Sequence, residues 1–83
     1  MPTVYSVMGY TIFFWSNEND EPIHVHVCKG APKENATKIW IEAEPRLEHN
    51  KSRVPRKVLN KIMKWLAVNR ALIIEQWHDH FNQ

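Results

Sequence analysis

The hydrophobic period of this chain changes once, near Ser52, from about two residues to three or four, and that change limits the fold more than any other feature. Before it lie short alternating or β-branched and aromatic runs, as in strands. Thr3 to Met8 and Tyr10 to Ser16 read as two strands joined at Gly9 by a tight turn or bulge. Asn17 to Pro22 has the acidic, Asn- and Pro-containing chemistry of an exposed loop. His24 to Cys28 alternates strictly, with His24, His26 and Cys28 on one side and Val25 and Val27 on the other. Thr37 to Ala43 reads as a fourth strand, in which Ile39 and Ile41 face away from Lys38, Trp40 and Glu42. Pro45 ends it, and Arg46-Leu47-Glu48 can add a short edge piece.

Beyond Ser52, Val54, Val58, Leu59, Ile62, Met63 and Leu66 form one helical stripe, with Pro55 suitably near its start. Lys57, Lys61 and Lys64 fall on the far side. Asn69 suits the N-cap of a second helix, in which Ile73, Trp77 and Phe81 repeat every four residues; a single bent helix is the alternative. The expected fold is α+β: an N-terminal antiparallel sheet of three to four strands packed by one or two C-terminal helices, in one domain spanning residues 1–83. A chain this short buries only roughly 60% of its unfolded surface, so its nine aromatic residues, four of them Trp, supply much of the core. The lone Cys28 excludes an internal disulfide, and no secretory signal follows Met1, which points to the cytoplasm. The apolar stretch of residues 10–15 is far shorter than the ~20 residues of a membrane span, so no membrane role is expected.

The second predicted strand is apolar on both faces, with Tyr10, Ile12 and Phe14 on one and Phe13 and Trp15 on the other. One layer of helices covers only one face. The other, with Trp15 and Trp40, is a candidate contact for a protein partner or a homodimer unless loops fold over it.

Charge is unevenly spread. Residues 1–28 hold no Lys or Arg, whereas residues 46–70 hold eight cations against the single acid Glu48. Arg53, Arg56, Lys57, Lys61 and Lys64 are therefore candidates for binding nucleic acid or an acidic partner, against the plain alternative of a solvated helix face. His24 and His26 project from one strand face with backbones roughly 6.5 to 7 Å apart. Such a pair can serve as general acid and base in metal-independent RNA cleavage, one imidazole activating the 2′-hydroxyl and the other protonating the leaving oxygen. It can equally fix geometry by hydrogen bonding. Zinc on His24, His26 and Cys28 is a third option but not the favoured one, because a four-ligand site would have to recruit His49, His78 or His80. No cofactor is expected. His78 and His80 point to different helix faces and suit the C-terminal dipole. Glycine-rich phosphate loops, CxxC pairs and nucleophile elbows are absent from the sequence.

The order of pieces, Met1-Pro2-Thr3 opening into a strand, the acidic 17–21 loop, Pro22-Ile23-His24-Val25-His26-Val27, Lys38-Ile39-Trp40-Ile41 and a late helix with Asn69 and Trp77, closely resembles the bacterial domain-of-unknown-function 4160 family (DUF4160). Ile23 and Val25 stand where that family often has a second proline or small residue and an aromatic. The resemblance implies no settled activity. It does imply a small stand-alone protein often encoded beside a partner of the domain-of-unknown-function 2442 family (DUF2442), in an arrangement similar to a toxin–antitoxin pair. On that basis the leading expectation is a toxin-like protein acting on RNA or translation through the basic helical face, with His24 and His26 as its functional side chains. The alternatives are a non-catalytic module docking a protein through Trp15 and Trp40, and a small metal-binding domain.

Overall fold

The computed structural model describes residues 3–15 and 20–81. Strands β1 (Thr3–Val7), β2 (Tyr10–Phe13), β3 (His24–Lys29), β4 (Thr37–Trp40) and β5 (Arg46–His49) form one antiparallel meander in chain order, followed by helices α1 (Arg56–Val68) and α2 (Arg70–Phe81). The sheet has five strands rather than the three to four expected. The extra one, β5, has little apolar content; backbone pairing of Trp40 with Arg46, Ile39 with Leu47 and Lys38 with His49 makes it a strand. Glu48 is the bulged residue in that ladder. β2 and β4 end earlier than their apolar runs suggest, at Phe13 and Trp40. Ser16 and residues 17–19 of the acidic loop, like Met1 and Pro2, lie outside the described residues.

Both residues of the β1–β2 turn, Met8 (φ 52) and Gly9 (φ 80), are left-handed, as a two-residue hairpin loop with the twist of its strands requires. Gly9 adopts that conformation freely, whereas Met8 pays for its Cβ. Met8 is also exposed. Met8→Asn is therefore expected to stabilise the fold by about 0.5–1 kcal/mol, read as a rise in melting temperature of a few degrees. No rise, with the hairpin intact by NMR, would remove strain as a feature of this turn.

The helices cover the face bearing Ile12, Val25, Val27 and Ile39, and these pack with Phe14, Ile62, Leu66, Ile73 and Trp77 into the main core. The predicted stripe of α1 is the buried one. The chain makes two helices, and Asn69 lies between them, but its side chain works backwards. Its Nδ2 donates to the Trp65 carbonyl at 2.9 Å, capping the end of α1, while its own carbonyl accepts from Ile73 N–H to open α2. The start of α1 is positioned by a polar knot. The Thr37 hydroxyl donates to Asn50 Oδ1 at 2.6 Å, Asn50 Oδ1 accepts from Val54 N–H at 2.9 Å, and the Ser52 hydroxyl donates to the Val27 carbonyl at 2.9 Å. Thr37 is wholly buried, so these bonds tie the loop before α1 to the middle of the sheet. No helix among the described residues is long and apolar enough to cross a membrane.

Candidate functional site

The sheet face opposite Val25 and Val27 carries the predicted histidines, and Trp77 of α2 reaches His24 there. Strand pairing lines up Phe13, His26, Lys38 and His49 in one transverse row and His24, Trp40 and Arg46 in the next. Sequence spacing singled out His24 and His26 but missed Lys38, which only the register places beside His26, and His49, which it places beyond Lys38 on the next strand. Lys38 Nζ is held by both oxygens of Glu21, at 2.7 and 3.1 Å, and lies 4.5 Å from the centre of the Trp40 ring.

Loops close much of this face. Phe13 and Cys28 are buried against Ala36, with Trp15 packed beside them, and His26 is 7% exposed. His24 is fully buried: its Nδ1 lies 2.9 Å from the Pro22 carbonyl oxygen, and its ring sits 5.0 Å from that of His26, 5.5 Å from Trp40 and 5.3 Å from Trp77. The Cys28 thiol donates to the Ala31 carbonyl at 3.3 Å, the behaviour of a packed small residue. Among the described residues no group of three or more His, Cys, Asp or Glu is gathered to hold a metal ion.

Trp15 and Trp40 remain partly exposed, and the surroundings of Trp40 are strongly polar. Its Nε1–H donates to Glu48 Oε1 at 2.8 Å, and Arg46 bonds Glu42 at 3.0 Å and lies 3.8 Å from Glu48. The Arg46 guanidinium holds the Glu42 carboxyl below its ordinary range; the Trp40 N–H chiefly does the same for Glu48. Burial, reinforced by Lys51, pushes His49 below its ordinary value of 6.5. The fold thus favours the neutral ring. Above that ordinary value His49 has no effect on stability; as pH falls through 6.5 the unfolded chain takes up the proton first and stability declines. An NMR titration is expected to place His49 below 6.5, with Lys51→Gln moving it upward. A midpoint at or above 6.5 would contradict this environment.

The predicted cations occupy a different surface. Arg53, Arg56, Lys57, Lys61 and Lys64 are all exposed, and among the described residues none of their side chains makes an ion pair or hydrogen bond. Lys57, Lys61 and Lys64 follow at spacings of four and three along α1, so neighbouring Cβ atoms are about 5–6 Å apart. The first turn of α1 has no acid and no side-chain cap. Cations there oppose the helix dipole by ~0.3–1 kcal/mol each, and like charges four apart cost a further ~0.2–0.5 kcal/mol. Among the described residues no side-chain partner offsets these terms.

A meander of five antiparallel strands backed by two helices, with two histidines on its central strand and an unneutralised basic helix, defines a small α+β protein class. The family described as domain of unknown function (DUF4160) has a model that matches residues 9–78, and the protein belongs to that family. No curated protein and no solved structure matches the chain.

Proposed function

We propose that this protein binds the phosphate backbone of RNA through the outer face of α1, as the toxin-like member of a two-protein bacterial module. One observation carries the reading: five exposed cations, Arg53, Arg56, Lys57, Lys61 and Lys64, have no partner among the described residues, and residues 49–74 contain no acid. A polyanion relieves both the mutual repulsion of the lysines and the unfavourable dipole at the start of α1. Binding is better supported than cleavage. An imidazole must come within about 2.6–3.2 Å of the proton it moves, and His24 has no exposed surface from which to do so. His26, next to Lys38, is the imidazole of the pair closer to solvent.

Induction of the chain alone is the test. Protein synthesis is expected to fall, and a Lys57→Gln, Lys61→Gln, Lys64→Gln variant to restore it. Full synthesis alongside abundant, folded native protein would sink the toxin-like reading. Relief by His26→Gln with RNA binding intact would add catalysis to binding.

A second reading rests on Trp15 and Trp40, which stay partly exposed on the sheet face that buries Phe13, Cys28 and His24. Under it, a cognate DUF2442-like protein, or a second copy of this chain, docks there. Trp40→Ala would then abolish complex formation and leave RNA affinity unchanged.

A further inference from the structure

Three lysines that are scattered in the sequence meet around one cavity of about 250 Å³. Lys29 at the end of β3, Lys33 from the β3–β4 loop and Lys51 from the β5–α1 loop line it together with Glu34, Asn35 and Ser52. All three lysines are exposed, whereas buried Cys28 and half-buried Ser52 form the inner wall. Among the described residues none of the three ammonium groups makes an ion pair or hydrogen bond, although the Glu34 carboxylate lines the same cavity. Like charges gathered around a concave site repel one another and focus a positive field into it.

The wall that carries Lys51 is held in place by the sheet. The Ser52 hydroxyl donates to the Val27 carbonyl at 2.9 Å and its N–H donates to the Thr37 hydroxyl at 3.3 Å, which ties this segment to β3 and β4. Arg53, directly after Ser52, is left-handed at φ 56, as is Asn35 at φ 61. Asn adopts that conformation readily but Arg does not, and backbone strain of this kind collects at ligand clamps. The charge of the lining narrows the ligand. Three ammonium groups against one carboxylate leave two positive charges. That matches a phosphate monoester, at about −1.5 to −2 near pH 7, better than the single charge of a backbone diester. The Asn35 amide adds a neutral N–H donor, and a metal cation would meet three like charges. The volume lies below the roughly 300–1,000 Å³ of pockets that enclose a whole ligand, and suits one functional group.

We infer that this cavity binds a phosphate monoester group, the chemistry shared by the phosphorylated end of an RNA strand and a free mononucleotide. Lys29, Lys33 and Lys51 hold the group as point charges, and Glu34, which repels it, limits the affinity. The inference does not rest on RNA binding along α1: a mononucleotide occupies the cavity whether or not α1 holds a strand.

The experiment is an NMR titration of the full chain with AMP and, separately, with adenosine, at constant ionic strength. Saturable shifts of the Lys29, Lys33, Asn35 and Lys51 amides are expected with AMP and not with adenosine. A gain of about tenfold for a short 5′-phosphorylated RNA over its 5′-hydroxyl counterpart would identify a strand end as the source, and no gain a free mononucleotide. Lys33→Gln and Lys51→Gln are each expected to weaken AMP binding about fivefold. Glu34→Gln is expected to strengthen it about threefold, a gain that no loss of fold can produce. The variant with glutamine at positions 57, 61 and 64 should bind AMP as the native chain does, even where its RNA affinity has fallen. The inference is overturned if AMP moves none of these resonances at about 10 mM, a concentration that reaches even millimolar affinities. It is also overturned by equal shifts with adenosine, or by an AMP affinity that the Lys33 and Lys51 substitutions leave unchanged or the α1 substitutions abolish.

Discussion

Replacing Trp77 by alanine is expected to lower the melting temperature by at least ~12 °C, because truncating a buried Trp costs about 3–5 kcal/mol and each kcal/mol is worth roughly 4–8 °C in a domain of this size. Trp77 is 2% exposed and packs edge-on to Phe14 at 5.3 Å, against Phe81 at 4.4 Å and against His24 at 5.3 Å. It therefore joins α2 both to the main core and to the first histidine of the central strand. Total stability at ~0.05–0.15 kcal/mol per residue comes to only about 4–12 kcal/mol for a chain of this length, so the loss takes a large share of it. Leu72→Ala, at an exposed position of the same helix, is the control and should cost no more than about 0.5 kcal/mol. Equal effects at the two positions would mean that α2 is not anchored through Trp77.

The second large effect falls on binding and leaves the fold intact. Lys57→Gln, Lys61→Gln and Lys64→Gln together are expected to weaken binding to single-stranded RNA about a hundredfold at 0.1 M salt, three phosphate contacts each worth roughly 0.7 decade there. Stability should hold or rise slightly, because the substitutions remove like charges on one helix face and a cation in its first turn. A merely solvated helix face would show the small stability gain with no change in affinity. An acidic protein partner would show a loss of affinity for that partner while RNA affinity stays low throughout.

Much of the architecture is legible in the sequence because burial here follows period. The stripe through Ile62 and Leu66 and the four-residue repeat of Ile73 and Trp77 are the positions the helices bury, and the His24-Val25-His26-Val27 alternation assigns the two sheet faces correctly. What escapes is set by pairing and not by pattern. β5 lacks alternation and exists through its ladder with β4, so composition gives no sign of its full length. Lys38 comes to lie beside His26, and His49 beside Lys38, only because the strand register pairs residues over ten positions apart. Alternation also says which way His24 points without saying whether a loop covers it. Asn69 marks the helix junction in the sequence, but either end of its amide can cap a helix, and the structure uses the Nδ2 end.

The central claim, that α1 binds a phosphate backbone through unpaired cations, is tested most directly by the salt dependence of RNA affinity. Fluorescence anisotropy with a labelled single-stranded RNA over a range of salt concentrations gives the slope of log K against log salt. Five contacts at roughly 0.7 each give a slope of about −3.5 for the native chain and about −1.4 for the variant with glutamine at positions 57, 61 and 64. A slope that stays shallow in the native chain, or one that the three substitutions leave unchanged, would contradict the account.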